Sequence, residues 1–177
     1  AQFISTEEPI EGSDKIKESI AMIFAYKYIP ADPGKYYLYS PDSEEAQEFC
    51  DKNGIRGYNR EEMKSCVFYR IEGVGGYEWM GIEAAQDNNE KAKLINERNN
   101  LDWEYFDEYI NDDYLSTLDF SNATNALQLK GGFYAFKTFD NRKGIIWVNY
   151  LNNFNNPIPI TIRRYIFQAV STENGNN

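Results

Sequence analysis

The sequence predicts an α+β protein, with short helices packed on a curved antiparallel sheet that ends in a C-terminal three-stranded meander. Three observations favour this class: a helix-start signature within 40–54, a long helical stretch over 88–118, and alternating strand patterns from 127 onward. A length of 177 residues suits one domain with its own core. We therefore expect an extended N-terminal arm over residues 1–13 and a single domain over 14–177.

The first segment of the expected domain, KIKESIAMIFAYKYI (15–29), is ambiguous. Ile16, Ile20 and Phe24 fit a helical stripe, whereas the run of β-branched and aromatic residues also suits a strand. After a turn rich in proline and glycine, KYYLYS (35–40) predicts a strand.

Two short helices follow. In SPDSEEAQEFCDKNG (40–54), Ser43 is expected to be the N-cap, and the Asn-Gly pair at its end closes the helix. NREEMKSC (59–66) repeats the pattern with Asn59 as the cap.

The middle of the chain predicts a hairpin and then the longest helix. VFYRIE (67–72) and YEWMGIEA (77–84) flank GVGG, which indicates a tight turn between two strands and not a phosphate loop. The stretch 88–118 is helical, with a break expected near Asn99-Asn100. Its apolar stripe consists of Trp103, Phe106, Ile110 and Tyr114.

The last third of the chain predicts the meander. LQLKGGFYAFKTF (127–139), IIWVNYL (145–151) and PIPITIRRYIFQAV (157–170) alternate as half-buried strands do, with turn sequences between them. No apolar run approaches the roughly 20 residues of a membrane helix, so we expect no membrane insertion.

Charge is unevenly distributed along the chain. Residues 1–120 carry 12 Lys/Arg against 26 Asp/Glu, whereas residues 121–177 carry six against two, within a net charge of −10. This acidic bias argues against nucleic-acid binding, which needs lysine and arginine side chains to neutralise phosphates. It indicates either a solvated acidic surface beside a mildly basic sheet or two complementary poles that contact protein partners.

The residues of the two poles are candidate interaction sites. The acidic face comprises Asp102, Glu104, Asp107, Glu108, Asp112 and Asp113. The basic pole comprises Lys137, Arg142, Lys143, Arg163 and Arg164.

The chain contains no histidine. This excludes Ser-His-Asp and Cys-His nucleophile schemes as well as histidine-based zinc sites.

The acidic, aromatic stretch WEYFDEYINDDY leaves a carboxylate-based glycan-cleaving protein as an alternative. However, Asp107 and Glu108 are adjacent and point about 100° apart on a helix, so the second carboxylate would be Glu78 or Glu83. A carbohydrate-binding protein would expose Trp79, Trp103 or Trp147. We expect neither a cofactor nor a metal.

Cys50 and Cys66 are the two cysteines. We expect a disulfide between them, which would stabilise the fold by roughly 3 kcal/mol and would indicate an oxidising compartment or a virion. The alternatives are two buried free thiols, half of a zinc site or a reactive thiol.

The segment EFCDKNGIRGYNREEM (48–63) is similar to a short Cys-containing stretch in some phage head-morphogenesis proteins. The similarity covers under a tenth of the chain and includes no specific motif. It assigns no family.

These observations predict a non-catalytic interaction subunit of a larger extracellular, periplasmic or viral assembly, with protein partners in a homo- or hetero-oligomer. The alternative from another class is an acidic inhibitor or immunity protein that binds a basic partner. Binding that weakens strongly with salt would favour this alternative.

Overall fold

The chain forms eight strands and three α-helices within the residues that its computed structural model describes, which are 2–5, 20–29, 32–71, 87–149 and 160–164. A short 3-10 helix, Arg60–Glu62, lies between the first α-helix and the fourth strand. The strands are β1 Gln2–Ser5, β2 Ile20–Ile29, β3 Asp32–Tyr39, β4 Cys66–Ile71, β5 Ala126–Leu129, β6 Gly132–Thr138, β7 Lys143–Val148 and β8 Ile160–Arg164. The helices are α1 Glu44–Lys52, α2 Asn88–Tyr109 and α3 Asp112–Thr117.

The strands form two antiparallel sheets. Sheet A has the order β1-β2-β3-β5, and sheet B has the order β4-β6-β7-β8. The α+β class is confirmed, and the expected C-terminal meander is the β6-β7-β8 part of sheet B. The single sheet and the single strand over 127–139 were wrong, because β5 pairs with β3 in sheet A and not with its sequence neighbour β6.

The two sheets pack face to face, because strand residues alternate between two sides and both sides are apolar. In β2, Met22 and Phe24 join the cluster between the sheets, whereas Ile23 and Ala25 pack with α1 on the outer side of sheet A. The inter-sheet cluster comprises Ala21, Met22, Phe24, Leu38, Cys66, Phe68, Leu129, Tyr134, Phe136, Ile146 and Val148. The outer side of sheet B packs against α2 and α3, so the described part of the chain has four layers in the order helix, sheet, sheet, helices.

The first helix begins and ends where its sequence indicates. The Ser43 hydroxyl oxygen accepts a hydrogen bond of 3.1 Å from the Ala46 amide, so Ser43 is the predicted N-cap. Gly54, after the C-cap Asn53, has a φ of 68°, which a side chain would disfavour. Asn59 caps the 3-10 helix through its side-chain oxygen.

The ambiguous segment 15–29 contributes a strand, β2, over its described residues. It lies between β1 and β3 in sheet A and is covered on both sides. A strand buried on both sides lacks polar alternation, which is why its pattern did not separate strand from helix.

Helix α2 runs through Asn99-Asn100 without the expected break. It ends at Tyr109, where Ile110 is extended and buried, and the Asn111 side chain then caps α3 through a 3.0 Å bond from the Tyr114 amide. At 22 residues, α2 is about 33 Å long. Of the helices in the described ranges, none is both long and apolar enough to cross a lipid bilayer.

Part of the predicted arm is a strand of the chain's own sheet. Gln2–Ser5 pairs with β2, with Gln2 opposite Phe24 and Ile4 opposite Met22. The rest of the arm, the second strand of the predicted GVGG hairpin and Trp79 lie outside the described residues.

Candidate functional site

Five of the six predicted acidic-face residues are exposed on the C-terminal half of α2 and on α3. They are Glu104, Asp107, Glu108, Asp112 and Asp113. The sequence has no Lys or Arg between Arg98 and Lys130, and the last turn of α2 contains no base. Among the described residues, no ion pair joins Glu104 or Glu108 to a base.

The exposed acids Glu104 and Glu108 of α2 are unfavourable where they stand, each for a local reason. The C-terminus of a helix carries a partial negative charge, and a like charge in its last turn costs about 0.3–1 kcal/mol. Glu108 lies in this turn. Glu104 lies one turn earlier, four residues from Glu108, and two negative charges at this spacing also destabilise a helix. Asp112 and Asp113 differ, because they lie in the first turn of α3, where negative charge is favoured. The α2 acids therefore lack the structural explanation that the α3 acids have.

Asp102, the sixth predicted member of the acidic face, is buried, and the expectation of an exposed side chain was wrong. It is 0% exposed, because it lies seven residues after Ile95 and four before Phe106, on the side of α2 that faces the sheet. The Arg98 Nε atom lies 3.0 Å from the Asp102 Oδ1 atom. Asp102 therefore belongs to an internal ion pair.

Burial raises the pKa of Asp102, because a carboxylate loses its hydration between α2 and sheet B. Attraction to Arg98 and contact with the Trp147 indole N–H lower the pKa, but they offset only part of this effect. Neither Asp102 carboxylate oxygen has a well-aligned hydrogen bond to a described residue, which is consistent with the net upward shift.

Two exposed aromatic side chains border the acids on α2. Trp103 is 47% exposed and Tyr109 is 56% exposed. With 100° between successive residues, Trp103 lies on one side of Glu104 and Glu108, and Tyr109 lies on the other. We call the exposed set the acidic–aromatic surface; it consists of Trp103, Glu104, Asp107, Glu108, Tyr109, Asp112 and Asp113.

Each exposed aromatic ring is held by a second ring. The Trp103 ring centre lies 5.6 Å from that of Trp147 in β7, and the Tyr109 ring stacks on Tyr105 at 5.0 Å. Such contacts limit the rotamers of both side chains before any partner binds. Trp103 was predicted as part of the apolar stripe but is about half exposed, and Tyr109 was not among the predicted site residues. The sequence does contain a signal for the exposure of Tyr109, since this residue falls outside the helical spacing that Phe106 and Ile110 follow.

Three residues of the predicted basic pole have intramolecular partners. The Lys143 ammonium donates to the Leu118 carbonyl at 3.0 Å and to the Ser116 carbonyl at 3.4 Å, at the end of α3. Lys137 and Lys143 also lie 5.3 and 5.7 Å from the ring centre of Phe120. The Arg142 Nε atom lies 2.8 Å from the Asp140 Oδ2 atom.

The remaining basic-pole residues, Arg163 and Arg164, lie in β8 opposite Ile145 and Gly144, respectively. Lys143 therefore ties the end of α3 to sheet B, Lys137 lies beside the segment that follows α3, and Arg142 forms an ion pair within the β6–β7 turn. Their contacts are a structural explanation for the basic cluster, alongside the predicted role in interaction.

The predicted disulfide is wrong: Cys50 and Cys66 are free, buried thiols. Cys50 packs in the cluster between α1 and sheet A, whereas Cys66 lies in the cluster between the two sheets. Burial raises the pKa of Cys50 to about 11 and also raises that of Cys66. Neither environment favours a reactive thiolate. The predicted disulfide was the reason to expect an oxidising compartment, so without it that expectation has no support.

Only some of the tryptophans and carboxylates predicted for a glycan site lie within the described residues. Trp103 is exposed, Trp147 is buried, and Trp79, Glu78 and Glu83 lie outside the described residues. In the ranges that the structure describes, no group of three or more potential metal ligands occurs.

Comparison of the chain with protein-family models, with curated proteins and with solved structures finds no match. The feature that stands out is the acidic–aromatic surface, where exposed rings and carboxylates share one helix.

Proposed function

We propose that the chain is a non-catalytic interaction subunit of a larger protein assembly and that the acidic–aromatic surface is its contact. The observation that carries the proposal is the exposure of Trp103 beside carboxylates that the end of α2 does not favour. Tryptophan and tyrosine contribute most to binding when they fill pockets on a partner. A contact at this surface would bury both kinds of group.

The contacts that the exposed rings make with other rings support this proposal. Trp103 packs on Trp147, a buried residue of sheet B, and Tyr109 packs on Tyr105. A side chain that is already ordered loses less entropy when it binds. The surface is therefore suited to a defined partner.

The acids of α2 support the proposal because they lower the stability of the free chain. A carboxylate near a helix C-terminus destabilises the free protein, and residues that break a local rule are frequent at functional positions. On this account, Glu104 and Glu108 serve a contact with a partner and not the stability of the chain.

A second candidate function is an acidic inhibitor that occupies the basic active site of an enzyme. The 31 residues without a base between Arg98 and Lys130 favour it. It would use the same surface, and a one-to-one complex that suppresses an enzyme's activity would distinguish it from an assembly subunit.

Native mass spectrometry of the chain purified from its own source tests the proposal. We expect a complex with the wild-type chain and at least about tenfold weaker association with Trp103→Ala, because an aromatic anchor is lost. Phe139→Ala is the matched control, since Phe139 is also exposed but lies in the β6–β7 turn. A monomeric wild-type chain, or equal losses in the two variants, would contradict the proposal.

A further inference from the structure

We infer that the partner of the acidic–aromatic surface is a cationic protein surface with an apolar pocket, carried by a different protein and not by a second copy of this chain. This inference rests on the proposed function, because it names the partner class for the same surface. It follows from the sign of the exposed charge, from the contacts of the chain's own bases and from the two exposed rings.

The sign of the charge determines the first property of the partner. Glu104, Glu108, Asp112 and Asp113 are exposed within ten residues of one another, and no base lies among them. Matched potentials accelerate encounter and select partners, whereas like charges repel. A partner that covers this surface must therefore supply lysine or arginine side chains.

The three basic-pole residues whose side chains the structure describes already have partners within the chain. Lys143 binds the carbonyls at the end of α3, Lys137 and Lys143 lie beside Phe120, and Arg142 pairs with Asp140. A second copy would have to break these contacts to present these three bases to the acidic–aromatic surface, and with a net charge of −10 it would be repelled as a whole. A different protein with free bases meets no such cost.

The rings determine the second property of the partner. Trp103 and Tyr109 are about half exposed and border the acids on both sides. A purely polar cationic chain would leave both rings in water, whereas an apolar pocket or helix face would bury them. The favoured partner therefore combines bases with an apolar centre.

An NMR titration of the isotopically labelled full chain tests the inference with defined probes. The first probe is an amphipathic peptide of lysine and leucine, and the two matched peptides carry glutamate in place of lysine or serine in place of leucine. We expect the lysine–leucine peptide to shift resonances of residues 103–113, with affinity falling at least about tenfold from low to physiological salt. The glutamate peptide should not bind, and the serine peptide should bind more weakly.

Charge reversal provides the variant test. The double variant Glu104→Lys/Glu108→Lys should lose at least about tenfold in affinity for the lysine–leucine peptide. Glu61→Lys, on the exposed 3-10 helix, should not. Shifts centred outside 103–113, or equal losses in the double variant and in Glu61→Lys, would overturn the inference. So would a concentration-dependent dimer of the wild-type chain that the double variant abolishes.

The two proposals fail in different ways. If the chain forms an assembly in its source and the double variant still enters it, the cationic partner is wrong and the interaction function stands. If the wild-type chain is a monomer there, the proposed function is wrong whatever the peptides do.

Discussion

Arg98 and Asp102, one turn apart on α2, form an ion pair on the side of the helix that faces sheet B. The Arg98 Nε atom lies 3.0 Å from the Asp102 Oδ1 atom, and the carboxylate is fully buried. A buried pair of this kind gains attraction but loses the hydration of both ions. The raised pKa of Asp102 indicates that the loss of hydration is the larger effect for the carboxylate.

The first prediction concerns the pH dependence of stability at Asp102. Its pKa in the folded state lies above 3.8, so the folded chain binds this proton more tightly than the unfolded chain does. The stability that this linkage contributes is complete below pH 3.8 and is lost as pH rises through the folded-state pKa. Asparagine does not ionise, so the free energy of unfolding of Asp102→Asn should increase relative to wild type as pH rises.

Urea unfolding at about pH 4.5 and about pH 7.5 measures this difference. Asp107→Asn is the matched control, because it removes one carboxylate from the exposed side of the same helix. A difference between Asp102→Asn and wild type that does not change with pH would contradict the assigned direction of the pKa shift.

The second prediction concerns the acid in the last turn of α2. Replacement of Glu108 by lysine places a positive charge beside the negative end of the helix dipole. The free energy of unfolding should rise by about 0.3–1 kcal/mol, as measured by denaturant unfolding at low salt. Glu90→Lys, in the first turn of the same helix, should act in the opposite direction. A loss of stability in Glu108→Lys would show that this acid serves the fold.

The third prediction concerns the cysteines. Because Cys50 and Cys66 are buried and have raised pKa values, neither should react with iodoacetamide in the folded chain at neutral pH. Both should react in denaturant, and a reductant should leave the thermal midpoint unchanged. Mass spectrometry counts the modified thiols; a chain two mass units light, or a midpoint that falls with reductant, would contradict the account.

The fourth prediction concerns Lys143. Lys143→Met keeps most of the aliphatic chain but removes the ammonium that binds the Ser116 and Leu118 carbonyls. The expected loss is about 1–2 kcal/mol in the free energy of unfolding. The Lys137 ammonium lies beside Phe120 and attracts Asp119 but makes no such carbonyl contact with a described residue, so Lys137→Met should cost about 0.5–1 kcal/mol. Equal losses in the two variants would show that the carbonyl contacts contribute little.

Local signals predicted much of the fold and little of the site. Ser43 and Asn59 cap their helices as expected, since capping depends on neighbouring residues. The burial of Asp102 also had a local signal, because Ile95 and Phe106 share its helical face. The exposed position of this acid was predicted from its charge alone.

Long-range relations were not available from the sequence. The spacing of Cys50 and Cys66 does not reveal that they lie in different layers. The separation of β5 from β6 depends on pairing with β3, which lies some ninety residues away in the chain. The contact of Trp103 with Trp147 likewise joins two segments that are distant in the chain.

Site-specific photo-crosslinking in the source of the chain tests the central claim most directly. A benzophenone amino acid replaces Tyr109 in one variant and Tyr26, an exposed tyrosine of sheet A, in the other. The account predicts a crosslinked protein partner from position 109 and none from position 26. A partner captured only from position 26, or none from position 109, would contradict it.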